Sequence, residues 1–453
     1  MKKHIFFLLI SFLFLQTTSV FSQDYKTKLE DYLQKRYERG EFMGTVLVAK
    51  NGIPTFKKSY GFANIEKHLH NNPDLKYLVG SMTKQFTAAL ILKLQEMNKL
   101  SVNDKLSKYY PSYKYGDEIT IRNLLNHTSG IPSYTGDPSV MTNLISYETV
   151  GEILDTMYAR ELEFKTDSLM KYTNTGFLIL GDIIEKASGK TYKEFVQETI
   201  FTPLGMNHSA FDVFDTTDVM FATGYTMDED KKIIRAEYMK VEYAGAAGSI
   251  SSTVDDMLKW DMALYGNKIL NEESKQQMFT PGKQNYGYGI IIDEPKYDSV
   301  IHKRIWHAGR IPGFTSVIQR FIQDTTSVII LCNNDMTDLN EIRPEITRII
   351  FGEDVIIKEK PVKVEVTVDP AIYEQYTGVY ELAPDFAIEV RTRDGKIYGQ
   401  ATGQGEFEMF PEAENKFFLK IVEADITFIK DDSGNVTKMI LFQGGQEMLG
   451  IKK

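Results

Sequence analysis

The stretch "YLVGSMTKQFTAALILKLQEMNKL" (Tyr77–Leu100) sets a serine before a long apolar helix and a lysine three residues further on. Apolar residues recur at helical spacing from Phe86 to Met97, which predicts an amphipathic helix that Ser81 opens. Side chains three residues apart point the same way at a helix N-terminus, so Lys84 can reach the Ser81 oxygen. The pattern fits a helix cap with a solvated charge, and it also fits a nucleophile with its base.

Composition and net charge limit the classes of protein to which this chain can belong. The chain has 453 residues, 42% of them hydrophobic and 25% charged, which is ordinary for a globular protein with a large core. That length allows one large domain plus a smaller one. The formal net charge of −10 and the lack of a basic run disfavour a nucleic-acid or anionic-membrane partner.

The N-terminus has the features of a signal peptide. Two lysines precede the apolar run Ile5–Leu15, and Val20 and Ser22 fit the −3 and −1 places of a cleavage site. The run is too short for a bilayer, which needs about 20 residues. We therefore expect residues 1–22 to be removed, and the mature chain to be exported to the periplasm or the medium without a stable membrane anchor.

Strand patterns occur at both ends of the first 350 residues. "GTVLVAKNGIPTFKKSYGFAN" alternates around Asn51-Gly52 and predicts a hairpin with a type I′ turn. The runs "RIWHAG", "FTSVIQRFI" and "TSVIILCNN" predict strands, with the single cysteine, Cys332, buried in the last one. We expect one antiparallel sheet from both ends, with a helical, loop-rich middle over about residues 104–265. The helices predicted by periodicity are "TGFLILGDIIEKASG", "STVDDMLKWDMALYG" and "LNEIRPEITRIIFG".

A second domain is predicted after a charged linker. Residues 353–369 carry two prolines, and the large domain is assigned to residues 23–352. From residue 370 to 453 the pattern is short strands, with turns at Asp394-Gly395 and at Ser433-Gly434-Asn435. This pattern predicts a small all-β barrel or sandwich.

Two further motifs accompany the Ser-x-x-Lys of Ser81. Tyr172-Thr173-Asn174 precedes a predicted helix, and His307-Ala308-Gly309 lies on or beside a predicted strand. Ser-x-x-Lys alone is weak evidence, because Ser168–Lys171 repeats it in a polar stretch. Tyrosine and histidine are common packing residues, so only the combination is specific.

The motifs together resemble the serine β-lactamase and penicillin-recognising hydrolase family, in its class C, D-alanyl-D-alanine carboxypeptidase and esterase branch. The resemblance covers about residues 25–350, and "YEQYTGVYEL" with the strands after it resembles an appended lipocalin-like barrel. The stretches that carry the first resemblance, in family order, are "GSMTKQFTA", "ITIRNLLNHTSGIPSY", "YTNTGFLILGDIIEKASGKTY", "FTPLGMNHSAF", "AGAAGSISSTVDDMLKW" and "WHAGRIPGFTS".

The resemblance implies an α/β (α+β) fold: a mixed sheet flanked by helices and an all-helical subdomain, with the site between them. It also implies the site residues. Ser81 would be the nucleophile, and Lys84 and Tyr172 would share the role of general base. Asn174 would position the substrate and the lysine, and His307 would lie on the strand beside the site. The backbone N–H groups of Ser81 and of Arg310, the residue after Gly309, would form the oxyanion hole.

Which group takes the serine proton stays open. A free lysine has a pKa of about 10.4, so burial would have to lower it by roughly three units for Lys84 to act as a base near pH 7. If Tyr172 is instead a phenolate, Lys84 must stay charged beside it, and the two groups titrate as a pair.

Two departures from the family bear on the substrate. His307 stands where many β-lactamases have a lysine, and a neutral histidine attracts a substrate carboxylate less. Arg310 either restores a positive charge there or is an exposed turn residue. The usual Pro-Gly before Tyr-x-Asn is replaced by "KTDSLMK", so the loop leading to Tyr172 is expected to be reshaped.

We therefore expect a serine hydrolase that cleaves amide or ester bonds through an acyl-enzyme, acting on a small ester or a D-amino-acid-containing peptide, peptidoglycan fragments included. The alternatives are a D-alanyl-D-alanine carboxypeptidase or β-lactamase, and an inactive relative that serves as a binding module. No cofactor or metal site is predicted, since His68 and His70 lack a third ligand. His127 is expected to fix a turn through hydrogen bonds.

Overall fold

The computed structural model describes residues 25–211, 217–228, 232–237, 241–357, 363–383, 386–422, 424–443 and 446–453. The predicted signal peptide lies outside these residues. The chain divides into two compact units, Met1–Ile356 and Ile357–Lys453, and the division falls inside the stretch predicted as a linker. In the described part of the chain, no helix has both the length and the apolar character needed to cross a bilayer.

The α-helices of the described residues belong to the first unit. They are α1 (residues 25–38), α2 (Thr83–Glu96), α3 (Ile121–Leu125), α4 (Pro138–Thr142), α5 (Val150–Tyr158), α6 (Asn174–Ser188), α7 (Tyr192–Val196), α8 (Thr202–Leu204), α9 (Gly245–Gly248), α10 (Val254–Ala263), α11 (Glu272–Met278) and α12 (Leu339–Ile350). The helices predicted by periodicity correspond to α6, α10 and α12 and are confirmed. Gly189, which follows α6, has φ 76°, as glycine commonly does after a helix end.

Strands of the first unit form a main sheet and several short ribbons. They are β1 (Gly44–Lys50), β2 (Ile53–Tyr60), β3 (Phe62–Asn64), β4 (Leu69–His70), β5 (Tyr77–Leu78), β6 (Ala210–Phe211), β7 (Tyr225–Met227), β8 (Ile233–Arg235), β9 (Ile250–Ser252), β10 (Ile291–Asp293), β11 (Lys296–Tyr297), β12 (Val300–Ile301), β13 (Arg304–Ile311), β14 (Phe314–Phe321) and β15 (Thr326–Cys332). The main sheet has the order β10-β13-β14-β15-β1-β2.

Every pairing in the main sheet is antiparallel. The predicted union of the early hairpin with the late strands is confirmed, since Gly44 of β1 pairs with Cys332 of β15. The antiparallel sheet predicted from the strand patterns is therefore confirmed. The mixed sheet that the resemblance implies is wrong, because short turns join β13 to β14, β14 to β15 and β1 to β2, and β1 lies antiparallel to β15. Cys332 is fully buried, as predicted.

The first hairpin has the predicted type I′ turn, with φ 53° at Asn51 and 73° at Gly52. Strand β1 is nevertheless buried from Gly44 to Ala49 instead of alternating. It lies between β15 and β2 in the sheet, and α10 packs on it. Because successive side chains of a strand point to opposite faces, its unbroken burial shows that both faces are covered.

The helix after Ser81 is buried on nearly all sides and is not amphipathic. Lys84, Gln85 and Thr87 are as buried as the predicted apolar stripe, because α6, α9 and α11 pack around α2. Met97, at the end of that stripe, is 49% exposed. Ser81 does not open the α-helix either: it lies in a 3-10 turn, Gly80–Met82, and α2 begins at Thr83.

The second unit contains a closed eight-stranded barrel, which confirms the predicted small all-β architecture. Its strands are β16 (Gly378–Ala383), β17 (Phe386–Arg393), β18 (Lys396–Ala401), β19 (Glu406–Ala413), β20 (Lys416–Leu419), β21 (Ala424–Lys430), β22 (Val436–Gln443) and β23 (Gln446–Lys452). Aromatic side chains fill the core, where the rings of Tyr376 and Phe428 stack at 4.4 Å and Phe417 packs edge-on against both. Asp394-Gly395 forms the predicted turn between β17 and β18, with φ 53° and 74°.

Candidate active site

Ser81 and Lys84 meet at the start of α2. Lys84 Nζ lies 3.1 Å from Ser81 Oγ, which is hydrogen-bonding distance. The 3-10 turn at Ser81 runs directly into the helix, so the one-turn spacing of the two residues is kept. Lys84 is fully buried, whereas Ser81 is partly exposed. The serine oxygen is therefore open to a ligand and is backed by a buried amine.

The Lys84 amine has two further partners. Its Nζ lies 2.9 Å from Asn174 Oδ1 and 2.8 Å from the backbone carbonyl of Ala247. Burial lowers the pKa of Lys84 well below its usual 10.5. A neutral amine has two N–H groups and one lone pair. The two oxygens can only accept, so they take both N–H groups and leave the lone pair for the Ser81 hydroxyl.

Tyr172 lies on the other side of the lysine. Lys84 Nζ is 4.9 Å from the centroid of the Tyr172 ring. Burial of the phenol raises the pKa of Tyr172, and a hydrogen bond with the Ser81 side chain offsets part of the rise. The residue as a whole is 38% exposed, so the ring reaches the surface while its hydroxyl end lies inward. Lysine and tyrosine are thus both shifted toward their neutral forms.

Asn174 is the first residue of α6, and hydrogen bonds to Ser133 and Thr135 fix its position. Its backbone N–H donates to Ser133 Oγ and its side-chain amide to Thr135 Oγ1, each over 3.0 Å. These bonds turn Oδ1 toward Lys84. Ser133, Thr135 and the carbonyl of Ala247 were not predicted as site residues, although the stretches that contain Ser133 and Ala247 carry the family resemblance.

Two glycines allow the Ser81 turn to lie directly on β13. Gly80 has φ 52°, and a Cβ there would come within 2.9 Å of the Arg310 nitrogen. A Cβ on Gly309 would lie 2.0 Å from the carbonyl oxygen of Val79. The Ser316 hydroxyl of the next strand donates to that same oxygen over 2.8 Å. The backbones of Ser81 and Arg310, whose N–H groups are the candidate oxyanion donors, are therefore brought side by side.

His307 lies on β13 with its ring buried near Tyr172, at a centroid distance of 6.3 Å. Its Nδ1 donates to the Ala308 carbonyl over 2.5 Å, so Nε2 accepts from the Tyr286 hydroxyl over 2.9 Å. Burial is the main cause that lowers the pKa of His307 to about 3, and the nearby Lys84 side chain adds to the shift. The histidine is therefore neutral. Tyr286 was not predicted, because it lies in a loop before β10 without a recognisable motif.

The Arg310 side chain is exposed and donates from Nη2 to the backbone carbonyl of Asp335 over 2.9 Å. Its guanidinium is thus engaged at the end of β13. The second Ser-x-x-Lys lies at the surface, where Lys171 pairs with Glu163 at 2.7 Å.

His68 and His70 are exposed and their rings pack on Phe62. Within the described ranges, no group of three or more histidine, cysteine or acidic residues is arranged to hold a metal ion.

Comparisons with known proteins identify the family of the chain. The beta-lactamase family model matches residues 29–348, and a model described as a domain of unknown function matches residues 362–451. Penicillin-binding protein 4* of Bacillus subtilis is 28% identical over 455 residues, which is 94% of this chain and 98% of that protein. The teichoic acid D-alanine hydrolase of Staphylococcus aureus is 27% identical over 341 residues, covering 74% of this chain and 78% of that protein.

Among solved structures, the octameric penicillin-binding protein homologue from Pyrococcus abyssi superposes with a TM-score of 0.64 at 26% identity, covering 94% of this chain and 99% of that chain. The family match spans more than half of the sequence and contains Ser81, Lys84, Tyr172, Asn174 and His307. The chain belongs to the beta-lactamase and penicillin-binding-protein-like family of serine hydrolases.

Proposed function

We propose that the protein cleaves an ester or amide bond through an acyl-enzyme on Ser81, with Lys84 as the general base. The observation that carries this proposal is the buried Lys84 amine, 3.1 Å from Ser81 Oγ, with acceptors on both of its N–H groups. A serine hydroxyl is a weak nucleophile unless an adjacent base takes its proton, and such a base contributes about 10²–10⁴-fold in rate.

The direction of the two pKa shifts favours Lys84 over Tyr172 as the base. A Tyr172 phenolate would require its pKa to fall, and burial raises it. The neutral phenol beside Ser81 is instead suited to pass a proton toward the leaving group. Asn174 then holds the lysine in place, and the N–H groups of Ser81 and Arg310 stabilise the oxyanion, each donor contributing about 3 kcal/mol in comparable sites.

The substrate that we propose is a small ester or a D-amino-acid-containing peptide, with a D-alanyl ester as the first choice. The relative that hydrolyses D-alanine from teichoic acid supports this class. The neutral His307 offers little attraction to a free substrate carboxylate, which a β-lactam or a peptide C-terminus would present. An inactive binding module is less favoured, because a buried uncharged lysine is costly without a catalytic use.

Export to the periplasm or the medium is part of the proposal, as are cell-wall fragments as substrates. It is supported by the two lysines, the apolar run and the Ser22–Gln23 cleavage pattern at the N-terminus. Fractionation of the producing cells followed by intact-mass measurement tests it: the protein should be found outside the cytoplasm and begin at Gln23, and a protein found only in the cytoplasm that keeps Met1 would contradict export.

Intact-mass spectrometry after exposure to p-nitrophenyl acetate, a D-alanine ester, a D-alanyl-D-alanine peptide and penicillin G tests the catalytic assignment. We expect an acyl adduct from the esters in the wild type and none in Ser81→Ala. Ser168→Ala is the matched control, because it removes the serine of the other Ser-x-x-Lys, and it should acylate at the wild-type rate. Equal acylation or turnover in Ser81→Ala would refute the proposal.

A further inference from the structure

The loop that carries Tyr172 is braced by a segment that the proposed chemistry does not use. This segment, His127–Gly130, follows α3, and the loop over residues 163–173 hydrogen-bonds to the backbone carbonyl of each of its four residues. The donors are Lys171 N–H to His127 (3.0 Å), Asp167 N–H to Thr128 (2.8 Å), the Thr166 hydroxyl to Ser129 (3.1 Å) and Glu163 N–H to Gly130 (2.9 Å). The path of this irregular loop therefore follows the bracing segment.

His127 accepts hydrogen bonds from the two residues that flank Tyr172 in the sequence. Its backbone carbonyl accepts from the N–H of Lys171, the residue before Tyr172. Its Nδ1 accepts from the N–H of Thr173, the residue after it, over 3.2 Å. The imidazole also packs on the tyrosine ring, with centroids 4.3 Å apart and planes tilted by 36°. Three separate contacts with His127 therefore fix the position of Tyr172.

The protonation of His127 suits this role. Because Nδ1 accepts a hydrogen bond, the proton of the neutral ring is on Nε2. Burial lowers the pKa of His127 well below its usual value. The phenol rings of Tyr172 and Tyr286 also face it. The ring therefore stays neutral, and its acceptor remains available to Thr173.

The backbone conformation at His127 limits which amino acids can be substituted there. Its φ of 59° lies in the left-handed region, which asparagine and histidine adopt more readily than most residues. Asparagine can also present an acceptor oxygen close to the place of Nδ1. Phenylalanine keeps a ring against Tyr172 but offers no acceptor, so the Thr173 N–H would be buried without a partner.

We propose that His127 is a positioning residue that sets the Tyr172 hydroxyl against Ser81 and Lys84, an inference that rests on the proposed function. A displacement of about 1 Å at a reacting group can cost about 10²-fold in rate. We therefore expect His127→Phe to lower kcat/KM for p-nitrophenyl acetate by about 100-fold through kcat, with KM little changed. His127→Asn should remain within about tenfold of the wild type.

A double-mutant cycle with Tyr172→Phe separates positioning from general destabilisation. If His127 acts through the Tyr172 hydroxyl, His127→Phe should cost little more in the Tyr172→Phe background. Additive losses would overturn the proposal. His302→Phe is the matched control, since His302 is a buried histidine of the first unit that lies outside the proposed site, where its Nδ1 is 2.7 Å from Asp324. It should lower thermal stability without changing the rate.

Histidine nitrogen NMR gives a readout that does not depend on activity. The spectrum of His127→Asn assigns the His127 signals. We expect the Nε2–H tautomer for His127, the Nδ1–H tautomer for His307, and no titration of His127 across the neutral range. An Nδ1–H tautomer or an imidazolium at His127 would overturn the proposal even if His127→Phe does not fold. Acylation of Ser81→Ala would instead refute the proposed function, whatever the result for His127.

Discussion

At the scale of single residues, the site depends on a lysine that is fully buried. Lys84 Nζ contacts three oxygens, from Ser81, Asn174 and Ala247, and no carboxylate is among them. A carboxylate partner would stabilise the charged amine and raise its pKa. Three uncharged partners allow burial to lower the pKa, so the chemistry of Lys84 follows from which oxygens surround it.

The pH dependence of acylation follows from this shift. Lys84 is neutral above its pKa in the folded protein and protonated below it, so the acylation rate should rise with pH through a value well below 10.5. If Tyr172 were the base, the rise would come at or above its ordinary pKa, because burial raises that pKa. The rate constant for p-nitrophenyl acetate, measured across pH, distinguishes the two.

Lys84→Arg completes that experiment, because arginine keeps the positive charge but cannot lose its proton in a protein. We expect a loss of about 10²–10⁴-fold at every pH. Tyr172→Phe is the control and should lower the rate without moving the rise. A rate in Lys84→Arg close to that of the wild type would mean that the lysine acts only as a charge.

At the scale of elements, the contact that matters most is that of the 3-10 turn Gly80–Met82 with β13. The turn approaches the strand so closely that neither Gly80 nor Gly309 has room for a Cβ. Val79 is also tied to β9, since its N–H donates to the Ile250 carbonyl over 2.9 Å. Ser81 therefore sits on a turn that the sheet fixes on one side and α2 continues on the other.

Gly309→Ala should disturb this contact. The new methyl carbon would lie 2.0 Å from the Val79 carbonyl oxygen and 2.5 Å from Ser316 Oγ, so strand and turn must separate. We expect a loss of about 1–3 kcal/mol in the free energy of unfolding, measured with urea, together with a slower acylation of Ser81.

Gly266→Ala is the matched control for that substitution. A Cβ at Gly266 meets no atom within 4 Å. Its effect should stay within about 0.5 kcal/mol, with the acylation rate unchanged. If Gly309→Ala behaves like Gly266→Ala in both measurements, the close approach of strand and turn has no role in placing Ser81.

At the scale of the whole molecule, the chain consists of two units with separate cores. The core of the first unit surrounds α2 and α6, and that of the second is the aromatic interior of the barrel. In the barrel, the Tyr376 hydroxyl donates to the Glu414 carbonyl over 3.0 Å and its ring stacks on Phe428. A closed barrel has no open edge strands, which removes one common cause of aggregation.

We expect residues 357–453, produced alone, to fold and unfold as a cooperative unit. Near-ultraviolet circular dichroism should show the packed aromatic rings and lose that signal in a single thermal transition. Tyr376→Ala should destabilise this fragment by about 3–5 kcal/mol, as large-to-small changes in a packed core do. A gradual, non-cooperative melt of the fragment would show that the barrel needs the first unit.

Much of the architecture could be read from local patterns. Asn51-Gly52 dictates a type I′ turn through backbone preferences alone, and the one-turn spacing brings Lys84 within reach of Ser81 wherever the helix lies. The periodicity of α6, α10 and α12 likewise reports their apolar faces. The order of the motifs along the chain then identified the family, and with it the appended barrel.

The remaining features arise from contacts between residues far apart in the chain. Burial of Lys84 on all sides, the neutrality of His307 and the bracing of Tyr172 by His127 depend on which elements pack together. The same holds for β1, whose alternating pattern gave no sign that both faces would be covered. Desolvation and hydrogen-bond geometry are properties of an assembled environment, so spacing in the sequence names the groups but cannot give their pKa values or their orientation.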